Sequence, residues 1–312
     1  GIAELFIACG PGRNDELWRN DGRGTFIHIV GTDNSGSGFS ATRGCHLGYS
    51  RNQTTPDFLL PQSVGLMWKT HTEDDLSPRF SSSVVSTNSN GKSQSTFVEY
   101  EEKHSGGAWG DINNDGLADF ILTTSCPCRY ADIYIGQNNG LFRNETAILG
   151  LDFISNTHDA LWVDVDNNGS LDLIVVTEGQ LRVYRQNTVR HNYVELELRG
   201  LLGVNSTIGA TATVYSSGER FTQSVLWGRG LFVVDPLRLH YGLGDNRVID
   251  SVVVQWPGSG QETFAGPDVN TVSTLVQGQG LHSREILGAL RPALAYPNPF
   301  SKVITMSCEV QE

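Results

Sequence analysis

Two stretches of the chain carry oxygen-bearing side chains at the spacing of a metal-binding loop. The first reads WGDINNDGLADF at 109–120, and the second reads WVDVDNNGSLDL at 162–173. Both fit the pattern D-x-[DN]-x-[DN]-G-x-x-D, which brings oxygen atoms from loop positions 1, 3, 5 and 9 around one point while glycine takes the sharp turn. The pattern therefore predicts a cation site that is used twice.

The predicted ligands are four side chains and the backbone carbonyl of position 7. They are Asp111, Asn113, Asp115, Leu117 and Asp119 in the first loop, and Asp164, Asp166, Asn168, Ser170 and Asp172 in the second. Hard oxygen ligands in this number favour Ca²⁺ over Mg²⁺ or zinc. Without a cation, the three carboxylates of the first loop would repel one another.

Two other structures could carry a single match of this kind. An Asx-rich surface turn is one of them, but both matches follow a tryptophan by two residues and precede an apolar segment. An EF-hand would carry a glutamate at position 12, where Leu122 and Val175 stand instead. We therefore expect calcium loops that join two β-strands.

The elements around these loops repeat along the chain. Aromatic residues recur at Trp18, Trp68, Tyr134 and Tyr184, next to short β-type segments and glycine turns, which predicts the blades of a β-propeller. The first blade lacks an acidic loop. The second blade has Tyr49, Arg51 and Gln53 at the first three ligand positions, so we expect it to bind no metal. The polar run 79–98 is expected to be a long loop.

Beyond residue 188 the pattern changes to short alternating strands separated by glycine turns, which predicts a second, all-β domain with a sandwich fold. The predicted fold class is all-β: a partial propeller at 1–188, with its first blade incomplete and its second degenerate, and a β-sandwich-like domain at 189–280. A linker at 281–293 and a short tail at 294–312 follow.

Composition excludes several classes of function. The formal net charge is −12, so a basic surface for nucleic acid is not expected. No apolar run is long enough to span a membrane. The motifs G-x-S-x-G and H-E-x-x-H and the P-loop are missing, and we predict no catalytic residues.

The residues 104–119 (HSGGAWGDINNDGLAD), with the aromatic strand and Asn-Gly turn that follow, resemble FG-GAP (VCBS-type) repeats, the calcium-loop blades of integrin α heads and many secreted bacterial proteins. Residues 189–278 resemble the ASPIC/UnbV domain of the cartilage acidic protein family. The blocks that carry this likeness are 196–200, 208–214, 228–230, 239–244 and 252–258. Residues 295–301 (AYPNPFS) resemble the start of a type IX secretion sorting domain.

These resemblances imply a secreted or cell-surface protein. We expect a calcium-binding module that recognises an extracellular protein or a carbohydrate. A propeller-based polysaccharide-active enzyme and a structural spacer in a larger surface protein are the alternatives. An enzyme would need a carboxylate pair, a histidine or a tyrosine in the central funnel, outside the calcium loops. Full propellers of this type close with more blades, so upstream blades are expected to be missing.

Overall fold

The structure is a computed structural model that describes residues 5–7, 16–21, 23, 25–29, 46–49, 57–62, 65–69, 85–87, 93–95, 104–127, 130–138, 142–177, 179–188, 190–201, 207–227 and 233–281. Within these residues the regular structure is β-strand, and there is no α-helix, none therefore that could cross a membrane. The predicted all-β class is confirmed. The predicted linker, apart from Leu281, and the whole of the predicted tail lie outside the described residues.

The described residues of the repeat region form fifteen strands in four sheets. The strands are β1 (Leu5–Ile7), β2 (Glu16–Asn20), β3 (Phe26–Ile29), β4 (His46–Gly48), β5 (Asp57–Gln62), β6 (Gly65–Lys69), β7 (Val85–Thr87), β8 (Ser93–Ser95), β9 (His104–Gly110), β10 (Asp119–Thr124), β11 (Asp132–Gly136), β12 (Phe142–Asn144), β13 (Thr157–Val163), β14 (Asp172–Thr177) and β15 (Gln180–Tyr184). The sheet orders are β1-β2-β3, β4-β5-β6, β8-β7-β12-β11-β10-β9 and β13-β14-β15.

The four recurring aromatic residues lie at matching places in these sheets. Trp68, Tyr134 and Tyr184 lie on β6, β11 and β15, each of which pairs with the strand that follows an acidic or former acidic loop. Trp18 lies on β2, the middle strand of the first sheet. The described part of that sheet therefore corresponds to the second, third and fourth strands of a blade.

Consecutive sheets pack through a tryptophan that lies against a glycine of the preceding sheet. A Cβ atom at Gly48 would be 2.6 Å from Cδ2 of Trp109, and one at Gly110 would be 2.9 Å from Cγ of Trp162. The indole N–H of Trp109 also donates to the carbonyl of His46 at 3.1 Å. The strands β4, β9 and β13 thereby lie side by side. The loops that follow β9 and β13 begin at the same end of the region.

The polar run 79–98 is not a single loop, because it contains β7 and β8. β7 pairs in parallel with β12, through Ser86 and Phe142, and β8 pairs with β7. The prediction of a long loop is therefore wrong over these strands. The outer strand of a blade leaves a row of unpaired backbone N–H and C=O groups, which even a polar segment can satisfy by adding a strand.

The described residues of the C-terminal domain, between 192 and 276, form seven strands in two sheets. The strands are β16 (Asn192–Arg199), β17 (Thr211–Ser216), β18 (Glu219–Ser224), β19 (Leu239–Gly244), β20 (Ser251–Trp256), β21 (Gly260–Ala265) and β22 (Thr271–Val276). The sheet orders are β19-β16-β22 and β18-β17-β20-β21. Pairing is antiparallel except between β16 and β22.

The core of this domain lies between its two sheets and follows the alternation seen in the sequence. On β17, Ala212 and Val214 are buried; on β20, Val252, Val254 and Trp256 are buried, while the residues between them are more exposed. Alternation of this kind turns one face of each strand toward the opposite sheet. The predicted sandwich is thereby formed, with β19 and β16 on the sheet that meets the repeat region.

Candidate functional site

The first loop, residues 111–119, and the second loop, residues 164–172, have the same backbone shape. Position 4 has a left-handed backbone in both, with φ of 59° at Asn114 and 57° at Asn167. Position 6 does so as well, with φ of 81° at Gly116 and 86° at Gly169. Asparagine and glycine reach this conformation at low cost, so the residue types of the motif account for the turn.

The aspartate at position 1 closes each loop through its carboxylate. In the first loop, Asp111 accepts hydrogen bonds from the backbone N–H groups of positions 5 and 6, at 3.1 and 2.8 Å. In the second loop, Asp164 accepts from the same two positions at 3.1 and 2.7 Å. Both carboxylates are largely buried. The two predicted ligands therefore also hold their loops in shape.

The aspartate at position 9 ties each loop to a neighbouring strand. Asp119 is fully buried, and it accepts from the N–H of loop position 2 and from the N–H of Gly136, both at 2.8 Å. Asp172, also fully buried, accepts from Val165 at 3.0 Å and from Gln186 at 2.7 Å. These carboxylates fix the loop against the end of β11 in one sheet and against the residues after β15 in the other.

The side chains at position 5 face position 7. Asp115 accepts from the N–H of Leu117 at 2.8 Å, and Asn168 accepts from the N–H of Ser170 at 2.7 Å. The carbonyls of Leu117 and Ser170 remain predicted ligands.

The second loop brings three carboxylates together. One oxygen each from Asp164, Asp166 and Asp172 lies within 4.8 Å of the other two. Asp166 pairs with Arg185 through Oδ2, while its Oδ1 is buried and has no hydrogen-bond partner. A buried carboxylate oxygen without a donor is costly, and a cation among three carboxylates would satisfy it. The residues of this loop therefore fit a calcium ion.

The aspartates of the first loop, all three of which the structure describes, are less closely gathered. Asp115 turns its Oδ2 toward Nδ2 of Asn113, which donates to it at 2.9 Å. Burial raises the pKa of Asp119 well above the usual value of a carboxyl group, and the nearby charge of Asp111 raises it further. The N–H donors to Asp119 offset this only in part. A bound cation would favour the ionised carboxylate.

The C-terminal domain covers both loops, and the asparagines at position 4 make the contact. Oδ1 of Asn114 lies 2.7 Å from Nε2 of His240, and Nδ2 of the same side chain donates to the carbonyl of Gly169 in the other loop at 2.8 Å. Oδ1 of Asn167 accepts from Arg238 at 2.5 Å. One asparagine therefore joins the two loops to each other, and both join them to β19 and the residue before it.

Glu195 on β16 organises the charges of this contact. Only 2% of its side chain is exposed, and it lies 3.1 Å from both Nδ1 of His240 and Nη1 of Arg238. The guanidinium of Arg238 also donates to Glu197 at 2.7 Å. The ring of Tyr193 stacks on that of His240 with centroids 5.8 Å apart. We call this set of groups the interdomain face; it comprises Asn114, Asn167, Gly169, Tyr193, Glu195, Arg238, His240 and Gly242.

Glycines permit the close approach at this face. A Cβ atom at Gly242 would lie 2.0 Å from Oδ2 of Asp111 and 2.5 Å from the Cα atom of Asn114. A Cβ atom at Gly169 would lie 2.0 Å from the ring of Tyr193. Side chains at these two positions would separate the loops from the C-terminal domain. Gly242, in the block 239–244, is therefore required by the contact with the first loop.

A cavity of about 480 Å³ lies where the ends of β4, β9 and β13 meet the C-terminal domain. Its lining includes Tyr49, Trp109, Trp162, Thr222 and Arg238. Tyr49, which replaces the first ligand in the degenerate second repeat, places its hydroxyl 2.7 Å from Oγ of Ser224. Arg51 and Gln53 of that repeat lie outside the described residues.

Sequence reasoning missed the interdomain face. Glu195 lies far from Arg238 and His240 in the chain, and all three lie far from the loops. No sequence pattern marks them as partners of the loops. A signal for the asparagines did exist, because position 4 is asparagine in both loops although it is not a ligand position. The structure gives that repetition a cause in the contact with the C-terminal domain.

Comparison with known families finds two matches. Residues 111–175 match the model of the FG-GAP-like repeat, a range that begins at the first loop and ends beyond the second. Residues 203–282 match the model described as ASPIC and UnbV. The resemblance of 295–301 to a sorting segment stays a prediction and lies outside the described residues.

Comparison with curated proteins finds no match. Among solved structures, a similar one is described as the structural basis of specific recognition of non-reducing terminal N-acetylglucosamine by a lectin of Agrocybe aegerita. The two chains are 13% identical, with 86% of this chain and 79% of the lectin chain covered and a TM-score of 0.33. A similarity at this TM-score supports no conclusion about fold or ligand.

FG-GAP repeats are typical of surface and extracellular proteins and often bind calcium, and their combination with an ASPIC/UnbV domain suggests a ligand-binding module. The predicted order of the two regions is confirmed by the matched ranges. The part of the chain that is similar to the FG-GAP-like repeat therefore precedes the part that is similar to ASPIC and UnbV.

Proposed function

We propose that the protein is a secreted or cell-surface calcium-binding module that recognises an extracellular protein or carbohydrate and has no enzymatic activity. The observation that carries the calcium part is the group of three carboxylates in the second loop, with the unpartnered Oδ1 of Asp166 among them. When bound, calcium would supply positive charge that offsets the repulsion of these carboxylates. Asp164, Asp166, Asn168 and Asp172, with the carbonyl of Ser170, would hold it.

The same role is proposed for the first loop, through Asp111, Asn113, Asp115, Asp119 and the carbonyl of Leu117. Position 1 and position 9 make the same backbone hydrogen bonds in both loops, which supports equivalent sites. Extracellular calcium modules bind with dissociation constants on the order of 10⁻⁴–10⁻³ M. At a hundredfold excess of calcium over that constant, each site would stabilise the fold by about 2.7 kcal/mol.

Calorimetric titration with calcium tests this proposal. We expect the wild-type chain to bind calcium and its melting temperature to rise, and the double variant Asp111→Ala/Asp164→Ala to lose both effects. Asp152→Ala is the matched control, because Asp152 is an exposed carboxylate outside the loops. A wild-type chain without a calcium binding isotherm, or a double variant whose melting still responds to calcium, would contradict the proposed metal sites.

The ligand is proposed to occupy the cavity between the strand ends and the C-terminal domain, whose lining combines aromatic, hydroxyl and charged side chains, as ligand pockets commonly do. Binding to immobilised extracellular proteins and to a carbohydrate panel, with calcium and with EDTA, tests the recognition. Ligand capture that is unchanged by substituting Thr222→Val at the cavity wall, or an absence of binding to both panels, would oppose this part.

Three residues of the cavity wall that could act in catalysis, Glu195, His240 and Tyr241, have other partners. His240 faces Glu195 and Asn114 through its two ring nitrogens, and the hydroxyl of Tyr241 donates to the carbonyl of Ala212 at 2.8 Å. Both oxygens of Glu195 face cationic side chains or His240. This supports a binding role, and turnover of any member of a polysaccharide panel would favour the enzyme alternative instead.

A further inference from the structure

We infer that the two calcium loops are the surface on which the C-terminal domain docks, through the asparagines at loop position 4. Cation binding and domain docking then favour each other. The calcium part of this inference rests on the proposed function, whereas the docking contacts are observed in the structure. The docking partner is the chain's own C-terminal domain, through the surface formed by β16, β19 and Arg238.

The side chains of each loop have two different roles. Positions 1, 3, 5 and 9 face the interior of the loop, whereas the side chain of position 4 faces the C-terminal domain. Because Nδ2 of Asn114 donates to Gly169, its Oδ1 is left to accept, and Nε2 of His240 is the donor. Asn167 likewise accepts from Arg238. Neither asparagine is used as a predicted cation ligand.

Loop shape decides where these asparagines point. Their left-handed backbone is held by hydrogen bonds from the N–H groups of positions 5 and 6 to the position-1 carboxylates of Asp111 and Asp164. The same carboxylates are predicted cation ligands. A cation that fixes Asp111 and Asp164 therefore also fixes the docking geometry of Asn114 and Asn167.

The charges buried at this contact also favour a bound cation. The contact is so close that Gly242 lies against Asp111 with no room for a side chain, and the docked domain adds the buried carboxylate of Glu195 to the same region. Arg238 and His240 face Glu195. The docked domain therefore also covers loop carboxylates, Asp111 among them. Covering them while they are charged is unfavourable, and a bound divalent cation removes that cost.

Linkage makes the coupling reciprocal. If calcium favours docking by a given factor, docking favours calcium binding by the same factor, and such factors are typically about 5- to 150-fold. Weakening the docking contact alone must then weaken calcium binding, although every predicted ligand is retained.

The double variant Asn114→Gly/Asn167→Gly weakens this contact, because glycine keeps the left-handed backbone while the side chains that face His240 and Arg238 are removed. It also removes the bond from Asn114 to Gly169 between the loops. The single variant Asn167→Gly leaves that bond in place, and its calcium affinity must fall as well. Asn156→Gly is the matched control: Asn156 has φ of 51° and lies outside both loops and the interdomain face. We expect calcium affinity to fall at least about fivefold in the double variant and to stay at the wild-type value in the control. Scanning calorimetry in calcium should resolve two transitions for the double variant where wild type shows one.

The outcomes separate the two proposals. A wild-type chain that binds no calcium overturns the proposed function and the coupling together. Wild-type affinity and a single transition in the double variant overturn the coupling and leave the calcium sites intact. Should the double variant fail to fold, hydrogen exchange of the wild-type chain decides: calcium must slow exchange at residues 239–244 at least about fivefold, and unchanged exchange there overturns the coupling.

Discussion

Within the second loop, Asp166 at position 3 and Asp172 at position 9 are both predicted ligands but have different surroundings. Asp166 is 25% exposed and has an unpartnered oxygen, whereas Asp172 is fully buried and accepts two backbone hydrogen bonds. We expect Asp166→Asn to weaken calcium binding about tenfold or more and to change the free energy of unfolding in EDTA by less than about 0.5 kcal/mol. Calorimetric titration and urea denaturation measure the two effects.

The companion substitution Asp172→Asn should behave differently. The new amide N–H₂ would face the N–H of Val165 or of Gln186, so one buried donor loses its acceptor. We expect the free energy of unfolding in EDTA to fall by about 1–3 kcal/mol. Equal losses of metal-free stability in the two variants would contradict the assignment of a mainly ligating role to Asp166 and a partly structural role to Asp172.

The pKa of Asp119 gives the metal-free protein a pH dependence of definite sign. Burial, and then the charge of Asp111, raises the pKa of Asp119 in the folded chain above its value in the unfolded chain. The folded state therefore binds more protons, and this residue lowers stability as pH rises from the unfolded pKa toward the folded pKa. Calcium needs the ionised carboxylate, so its binding should release protons in that window.

We accordingly expect the rise in melting temperature on adding calcium to be larger at neutral pH than at acidic pH. Calorimetric titration in two buffers of different ionisation enthalpy measures the protons released. Asp152→Asn should leave the number of released protons unchanged, since Asp152 is exposed and outside the loops. An apparent binding enthalpy that is the same in both buffers would refute the coupling between Asp119 and the cation.

Among the elements, the stacking of β9 against β13 depends on a glycine that the sequence pattern shows without explaining. A Cβ atom at Gly110 would lie 2.9 Å from the ring of Trp162 and 3.1 Å from Leu171, with buried neighbours that have little room to move. We expect Gly110→Ala to lower the free energy of unfolding by about 1–3 kcal/mol, measured by urea denaturation.

Gly179→Ala is the comparison for this variant. Gly179 has φ of 75°, and a Cβ atom there would meet nothing within 4 Å, so the substitution tests backbone strain alone, at a cost of about 1 kcal/mol. If Gly110→Ala lowers the free energy of unfolding less than Gly179→Ala does, the close contact between Gly110 and Trp162 does not limit how β9 packs against β13.

The strands and loops were predictable because their signals are local. Oxygen side chains at alternate positions and a glycine at position 6 determine the loop wherever it occurs, and the alternation of Val252, Val254 and Trp256 determines which face of β20 is buried. The short strands β7 and β8 were missed because β7 pairs with the edge of β12, more than 50 residues further along the chain, and β8 pairs with β7. A polar segment carries no periodicity that reveals such an edge.

At the scale of the whole molecule, the contact of the two regions could not be predicted. The asparagine at position 4 looks like a turn residue, and it is one, since its backbone is left-handed in both loops. Its second role depends on His240 and Arg238, which reach the loops only when the sandwich has formed and docked. A residue that serves both a turn and a tertiary contact shows only the requirement of the turn in its local sequence.

Arg238 is the centre of the charge network between the two regions. Arg238 joins Glu195, Glu197 and Asn167, and removing it would leave the buried Glu195 with His240 as its remaining partner at this face. We expect Arg238→Ala to lower the free energy of unfolding by about 3–5 kcal/mol, since one member of a buried charge group is lost, and to separate the melting of the two regions in scanning calorimetry. Arg199→Ala is the control, because Arg199 is 60% exposed and its nearest contact to Glu197 is 3.8 Å, an arrangement that contributes about 0–1 kcal/mol. Equal effects of the two substitutions, with a single transition in both, would mean that Arg238 does not hold the C-terminal domain on the loops.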